Sequence, residues 1–151
     1  MKFSAPARTR ARRLAMQALY QWELSGTALS EIGAQFLETE DFARADRSYF
    51  IGLLNKVSQD TEIIENNISE YIDRPIDQLN PVEHAILRLA ICELLFNPAI
   101  PFRVTINEAV QLARKFGAEQ GHRFVNAVLD RAARKLRPDE CSRSGEQAAG
   151  R

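Results

Sequence analysis

The stretch that most constrains the fold of this chain is NPVEHAILRLAICELLF, residues 80–96. Asn80 is a favourable N-cap, Pro81 suits the first helical position, and Glu83 suits the electropositive first turn. Apolar residues then cover a wide arc of the helix, at Val82, Ala85, Ile86, Leu89, Cys92 and Phe96. An arc of this width predicts a central helix that neighbouring elements cover on several sides.

The rest of the chain shows one-sided apolar stripes at helical spacing, and no alternating segment is long enough to predict a sheet. The stripes run over residues 14–22, 49–57, 64–72, 106–113 and 125–136. Pro98 and Pro101 separate the central helix from the next one, because proline lacks the backbone donor. Gly117 is typical of a helix end. These patterns predict an all-α fold of about seven helices.

A chain of 151 residues fits one domain, which we expect to span residues 1–136. Residues 137–151 lack periodicity and are predicted to form a disordered tail. No apolar run approaches the roughly 20 residues of a membrane span. Cys92 and Cys141 form no metal-binding or redox motif, and no signal-peptide core precedes them. We therefore expect a cytoplasmic protein without a membrane segment, metal or cofactor.

The net charge of zero hides a strong segregation along the chain. Residues 1–22 contain five Lys and Arg and no acid, whereas residues 23–83 contain four basic and thirteen acidic residues. Residues 84–136 are basic again, with eight basic and four acidic residues. Such segregation favours a basic surface for a polyanion and an acidic surface for a different partner.

The first helix, within TRARRLAMQALYQWEL at residues 9–24, combines arginines with aromatic residues. At 100° per residue, its polar face contains Arg10, Arg13, Gln17 and Tyr20. Guanidinium groups bind phosphates bidentately and an aromatic ring offers a stacking face, so this face suits single-stranded RNA or a protein edge. Two alternatives are an ordinary solvated face and a mitochondrial transit peptide, which is likewise rich in arginine and poor in acids. Trp22 favours a helix that stays with the fold.

Three stretches of the chain together form a recognisable pattern: ARRLAMQALYQWEL, PVEHAILRLAICEL and IPFRVTINEAVQLARKFGAEQGHRFVNAVLD. In this pattern the chain resembles the NusB family of bacterial transcription antitermination factors. The resemblance runs from about Arg8 to Leu136 and is most specific from Ile100 to Asp130. It implies two small helical bundles packed across each other and no catalysis. It also implies a heterodimer with NusE, a ribosomal small-subunit protein, that binds the boxA element of single-stranded nascent RNA. That complex helps RNA polymerase pass terminators, notably in ribosomal RNA operons. An apolar partner surface would also allow a homodimer of the free chain.

The resemblance assigns site residues to two surfaces. The expected RNA-binding residues are Arg8, Arg10, Arg12, Arg13 and Gln17 on the first helix, and Phe116, Gln120 and Phe124 where the last two helices join. Tyr20 and Glu83 correspond to positions that the family turns toward NusE. Packing at the edge of the core is an alternative for Phe124, and helix capping is one for Glu83. The chain departs from the family pattern at Gln120, where a carboxylate is common, and at Ala127, where glycine is usual.

Enzyme classes are excluded by the residues available for chemistry. The chain has two histidines, His84 and His122, and no serine or cysteine lies in a nucleophile motif. One Glu-x-x-His spacing, Glu119 to His122, is half of what a di-metal bundle requires. No glycine-rich phosphate loop is present. The remaining alternative is a related RNA-targeting module that works with a ribosomal RNA methyltransferase carried on a separate chain.

Overall fold

The computed structural model describes residues 5–39 and 42–149, with side chains described as far as Arg143. The parts of the predicted domain and tail at residues 1–4, 40–41 and 150–151 lie outside the described residues. The helices are α1 Ala5–Ser25, α2 Leu29–Thr39, α3 Arg47–Gln59, α4 Thr61–Tyr71, α5 Pro81–Phe96, α6 Phe102–Phe116, α7 Gly121–Leu136 and α8 Pro138–Ala149, with a short 3-10 helix at Ile76–Gln78. The described residues contain no strand, and the all-α prediction is confirmed.

The predicted central helix is α5. Every residue from Glu83 to Leu94 is buried, and α5 packs against α1, α3, α4, α6 and α7. The Asn80 side chain accepts hydrogen bonds from the backbone N–H groups of Val82 and Glu83, at 2.9 and 3.2 Å. This cap satisfies two donors that the first helical turn would otherwise leave without partners. Both the start and the central position of this helix are therefore confirmed.

The other helices form two groups that share α5. On one side α1, α2 and α3 pack against one another, and on the other side α7 packs against α4 and α6. This arrangement agrees with the expected pair of small bundles. No helix among the described residues combines the length and the apolar character that crossing a membrane requires.

A buried charged cluster joins α1 to α4 and α5. Arg88 donates through Nε to Glu65 at 2.5 Å and through Nη2 to Glu23 at 2.9 Å, and its guanidinium lies 5.2 Å from the Trp22 ring. His84 Nε2 lies 2.7 Å from the second Glu65 oxygen. Burial alone would raise the pKa of Glu65, but hydrogen bonds from His84 and Arg88 lower it overall. The cluster fixes the Trp22 end of α1, so α1 is part of the core.

The chain differs from prediction at its C-terminal end, where α8 occupies most of the segment expected to be disordered. Pro138 stands at the first helical position, and Asp139 and Glu140 lie in the first turn. Proline is preorganised for that position, and acidic residues there are stabilised by the helix dipole. These start signals are local. The apolar residues that follow them show only weak helical periodicity, so the sequence pattern did not predict the helix.

Arg137 and Glu140 connect the start of α8 to two other helix ends. The buried Arg137 guanidinium donates at 2.9–3.1 Å to the backbone carbonyls of Glu93, Leu94, Asn97 and Ile100. Glu140 accepts from the backbone N–H of Phe102 at 2.7 Å and pairs with Arg137 at 2.8 Å. The pair therefore caps the C-terminus of α5 and the N-terminus of α6, which complements both helix dipoles.

Candidate nucleic-acid interface

Helix α1 has an apolar face and a polar face, as the spacing of its residues predicts. The apolar face includes Ala11, Leu14, Ala15, Ala18 and Leu19, all buried. On the opposite face Arg13 and Tyr20 are exposed, and Arg10 and Gln17 are half-buried. The helix thus anchors itself in the core with one side and leaves the other side available to a ligand.

Arg10 and Arg13 line a groove of about 550 Å³ between α1 and α6. Lys115 lies on the α6 wall, in the last turn of that helix, and Glu108 contributes one carboxylate to the lining. Arg10 is held in place because its Nη1 donates to the backbone carbonyl of Arg44 at 2.9 Å. Three cations against one carboxylate make the groove electropositive, which suits a phosphate backbone.

Arg8 lies apart from this groove. Its Nε is 3.6 Å from the Asp46 carboxylate, and its guanidinium lies 5.0 Å from the centroid of the Tyr49 ring. It lines a separate cavity of about 470 Å³, together with Lys56 and Phe96. The structure therefore does not bring Arg8 together with Arg10 and Arg13.

Arg12 is a correction to the predicted RNA-binding set. The residue is 5% exposed, and its Nε donates to the Glu93 carboxylate at 2.6 Å. The same carboxylate accepts from the Tyr49 hydroxyl at 2.5 Å and from Thr105 Oγ1 at 2.8 Å. Burial alone would lower the pKa of Arg12, but the charge and hydrogen bond of Glu93 raise it overall. Arg12 is thus a buried structural cation and cannot reach RNA phosphates.

The join of α6 and α7 brings together the three predicted residues at that end of the molecule. Phe116 ends α6 and is 39% exposed, Gln120 is exposed, and Phe124 is half-buried in the second turn of α7. Gln120 has a φ of 67°, and among the described residues it is the one non-glycine residue with positive φ. Such a conformation costs of order 1 kcal/mol or more, so surrounding contacts must hold it.

Glu83 lies beneath this join and supplies one of those contacts. It is 6% exposed, and its Oε2 accepts from the backbone N–H of Ala118 at 3.2 Å. Gly121 packs directly on the carboxylate, since a Cβ at that position would lie 2.7 Å from Oε2. The Glu83 side chain is therefore turned inward, where it supports the join, and its expected contact with NusE stays a prediction.

Tyr20, the second residue expected to contact NusE, is 37% exposed. It lines a shallow depression together with Leu24 and Phe36. Leu24 is 59% exposed, so this part of the surface is apolar. Of the two predicted partner residues, Tyr20 is the one on the surface.

Sequence reasoning missed Arg74, which lies in the linker between α4 and α5. Its guanidinium is 4.4 Å from the centroid of the Phe124 ring, so it belongs to the same surface as the α6–α7 join. The two residues are fifty positions apart, and no local pattern connects them. A lone arginine beside an aspartate in a linker gave no signal that would have singled it out.

These features define a helical protein with an electropositive groove, lined at one end of α6 by Lys115, and with an exposed and a half-buried phenylalanine, Phe116 and Phe124, at the join that follows that end. The described residues hold no cluster of three or more His, Cys, Asp or Glu able to bind a metal. A basic groove with adjacent aromatic residues is typical of a nucleic-acid-binding protein.

Comparison with known proteins identifies the family. The NusB family model matches residues 9–134. The chain is 48% identical over 136 residues to the transcription antitermination protein NusB of Alcanivorax borkumensis. That alignment covers 90% of this chain and 91% of the relative. The chain is 46% identical over 132 residues to the protein of the same name from Idiomarina loihiensis, covering 87% and 95% of the two chains. The chain belongs to the NusB family and is a transcription antitermination factor, not an enzyme.

Solved structures agree with this assignment. T. maritima NusB matches with a TM-score of 0.75 and 32% identity, covering 89% of this chain and 93% of that one. A chain from a crystal structure of the antitermination factors NusB and NusE in complex with double-stranded RNA matches with a TM-score of 0.76 and 27% identity, covering 87% and 99%. These relatives favour antitermination over the alternative of a module that works with a methyltransferase.

Proposed function

We propose that this chain, together with NusE, binds boxA-type single-stranded RNA along the α1–α6 groove and across the α6–α7 join. The observation that carries the proposal is the electropositive groove, in which Arg10, Arg13 and Lys115 face the single carboxylate of Glu108. Lys115 lies in the last turn of α6, the turn that ends at the exposed Phe116. A related solved complex contains NusB, NusE and double-stranded RNA. We favour a single strand here, since exposed aromatic rings can stack with bases that are not already stacked in a duplex.

Within this surface, charged, aromatic and amide side chains bind different parts of the RNA. Arg10, Arg13 and Lys115 hold backbone phosphates, because guanidinium and ammonium groups in an open groove gain charge-assisted hydrogen bonds from them. Phe116 and Phe124 stack with bases, and Gln120 offers an amide donor and acceptor to a base edge. Gln17 is half-buried on the same face of α1 but lines the Tyr20 depression and not the groove, so it would add a polar RNA contact at the side of the surface nearest NusE.

NusE is proposed to dock at Tyr20 and the apolar side chains beside it, Leu24 and Phe36. The acidic composition of residues 23–83 would attract a basic ribosomal protein and increase its association rate. The same apolar surface would allow two free chains to form a homodimer when NusE is absent. The assembled complex would act on RNA polymerase in the cytoplasm and sustain transcription of ribosomal RNA operons.

The test is RNA affinity, measured for this chain alone and mixed with NusE. The two probes are a boxA-like strand and a scrambled strand of the same composition. We expect tighter binding of the boxA-like strand and a further gain when NusE is added. Equal affinity for both strands in the presence of NusE would contradict the proposal. A pull-down from cell extract that yields a ribosomal RNA methyltransferase without NusE would favour the alternative function.

A further inference from the structure

We propose that Arg74 is a further RNA-binding residue, which forms with Phe124 a composite stack that receives an unpaired nucleobase. The inference rests on the proposed function and extends the RNA surface from α6 and α7 onto the linker between α4 and α5. None of the site residues expected from the sequence lies in that linker.

The geometry places the guanidinium where a base would have to approach. Arg74 Cζ lies 4.4 Å from the centroid of the Phe124 ring. The Arg74 side chain is 45% exposed, and Phe124 is half-buried. A base that approaches this side of Phe124 therefore meets the guanidinium before the ring. Guanidinium planes are themselves stacking surfaces for unpaired bases, so the arginine extends the stack outward.

Arg74 also keeps hydrogen-bonding capacity for a ligand. Its Nε donates to the Asp73 carboxylate at 2.8 Å, which holds one edge of the guanidinium. Within the part of the chain that the structure describes, its two terminal nitrogens make no hydrogen bond, and the Glu83 carboxylate acts on the guanidinium through its charge alone. Those nitrogens can donate to a phosphate or a base edge while the guanidinium plane stacks.

The end of α4, three residues before Arg74, is fixed to α7. Arg131 of α7 donates through Nη2 to the backbone carbonyl of Tyr71, at 2.5 Å. Lys135 of α7 pairs with Glu70 near the end of α4. These contacts hold the α4 end against the helix that carries Phe124, and an ordered platform reduces the entropy lost on binding.

Two substitutions at Arg74 separate stacking from charge. With boxA-like RNA and NusE present, we expect Arg74→Ala to lower RNA affinity about fivefold to tenfold, the scale of losing part of one base stack. Arg74→Lys keeps the positive charge but loses the planar group, so it should recover less than half of that loss. The dependence of affinity on salt should be the same for Arg74→Lys and the wild type.

Arg103→Ala is the matched control. Arg103 is an exposed residue whose guanidinium lies 5.3 Å from the Phe102 ring, a similar arginine and phenylalanine pair. It lies at the opposite end of α6 from Phe116, about 20 Å away at 1.5 Å per residue. We expect this variant to bind RNA as the wild type does. A loss of RNA affinity in Arg74→Ala but not in Arg103→Ala would therefore locate the effect at the α6–α7 join.

A fluorescent base analogue provides a direct readout of stacking. When 2-aminopurine replaces each base of the strand in turn, we expect one position to be quenched by wild type and not by Arg74→Ala. In a double variant with Phe124→Ala, the loss of affinity should be smaller than the sum of the two single losses, because both residues serve one stack. Thermal melting of each variant shows whether the fold is retained.

The outcomes separate this inference from the function on which it rests. If the wild type prefers boxA-like RNA but Arg74→Ala binds it equally well, the inference alone is overturned. If Arg74→Ala binds more tightly, Arg74 is a cover that the base displaces, and the composite stack is likewise overturned. A wild type that shows no preference for boxA-like RNA would overturn the proposed function and the inference together.

Discussion

Two arginines that are adjacent in the sequence belong to regions with opposite chemistry. Arg12 points into a buried cluster in which Glu93 accepts from three side chains, whereas Arg13 lines the open α1–α6 groove. Glu108 lies between the two regions, since it lines the groove and approaches Arg12 Nη1 at 3.6 Å. The comparison shows that an arginine-rich helix can use one cation to fix its own packing and leave its neighbour for a ligand.

The difference follows from the solvent around each charge. A buried ion pair must recover the cost of leaving water through close contacts, and Glu93 does so with donors from α1, α3 and α6. The burial and the nearby Glu93 charge raise the pKa of Tyr49, so its hydroxyl stays a donor. Charges in the groove remain hydrated, and a polyanion can displace their water and counterions.

The largest effect is expected inside the cluster. Arg12→Ala should lower the free energy of unfolding by about 3–5 kcal/mol, because it leaves the Glu93 carboxylate buried without its cation. Arg13→Ala, the neighbouring control, should change it by less than about 0.5 kcal/mol. Urea denaturation measures both variants. An Arg12→Ala variant of unchanged stability and weakened RNA binding would return Arg12 to the RNA surface.

A smaller effect is expected for Phe124→Ala, which tests whether the ring stacks with RNA or packs in the core. Phe124→Ala should lose ~1–3 kcal/mol of RNA affinity if the ring stacks with a base. It would instead lose ~3–5 kcal/mol of folding stability if the ring served as a core residue. We expect the first result, with Phe50→Ala as a core control, because Phe50 is fully buried. A large fall in the denaturation midpoint with intact RNA binding would contradict a stacking role.

Substitution of the groove arginines should change how RNA affinity depends on salt concentration. Arg10→Glu combined with Arg13→Glu should reduce the log–log salt dependence of RNA affinity by about 1.4, at roughly 0.7 per single-strand phosphate contact. Circular dichroism should show unchanged helicity. The control is Arg134→Glu, an exposed residue in the last turn of α7, far along that helix from the join. If the double variant and the control have the same salt slope, the groove does not hold phosphates.

Local patterns predicted the features that depend on local physics. The Asn80 cap, the wide apolar arc of α5 and the two faces of α1 follow from residues a few positions apart, and the structure has all three. The role of Arg12 depends on Glu93, which is 81 residues away, so a helical repeat could not reveal it. Arg74 likewise meets Phe124 only through the packing of α4 on α7. Spacing predicts which face a residue occupies, and tertiary pairing decides what the residue does there.

The smallest effect is expected for Tyr20→Ala, which tests whether Tyr20 lies on the NusE-binding surface. Tyr20→Ala should weaken NusE binding by about 1 kcal/mol, roughly fivefold, because truncation removes an exposed aromatic contact at an interface. It should lower RNA affinity only when NusE is present, since Tyr20 lies outside the groove and the join. Calorimetric titration with NusE, followed by RNA titration of each protein alone and mixed, measures both effects.

Glu83 supplies the contrast for that experiment. Glu83→Ala removes the acceptor of the Ala118 N–H and the packing surface of Gly121, so the join that presents Gln120 should lose its fixed conformation. RNA affinity should then fall equally with and without NusE, while Glu83→Gln, which keeps an acceptor oxygen, should recover most of it. If Glu83→Ala instead weakens NusE binding and leaves RNA binding by the isolated chain unchanged, Glu83 acts toward the partner despite its burial. The separation of Tyr20 for protein and Glu83 for the RNA join would then be wrong.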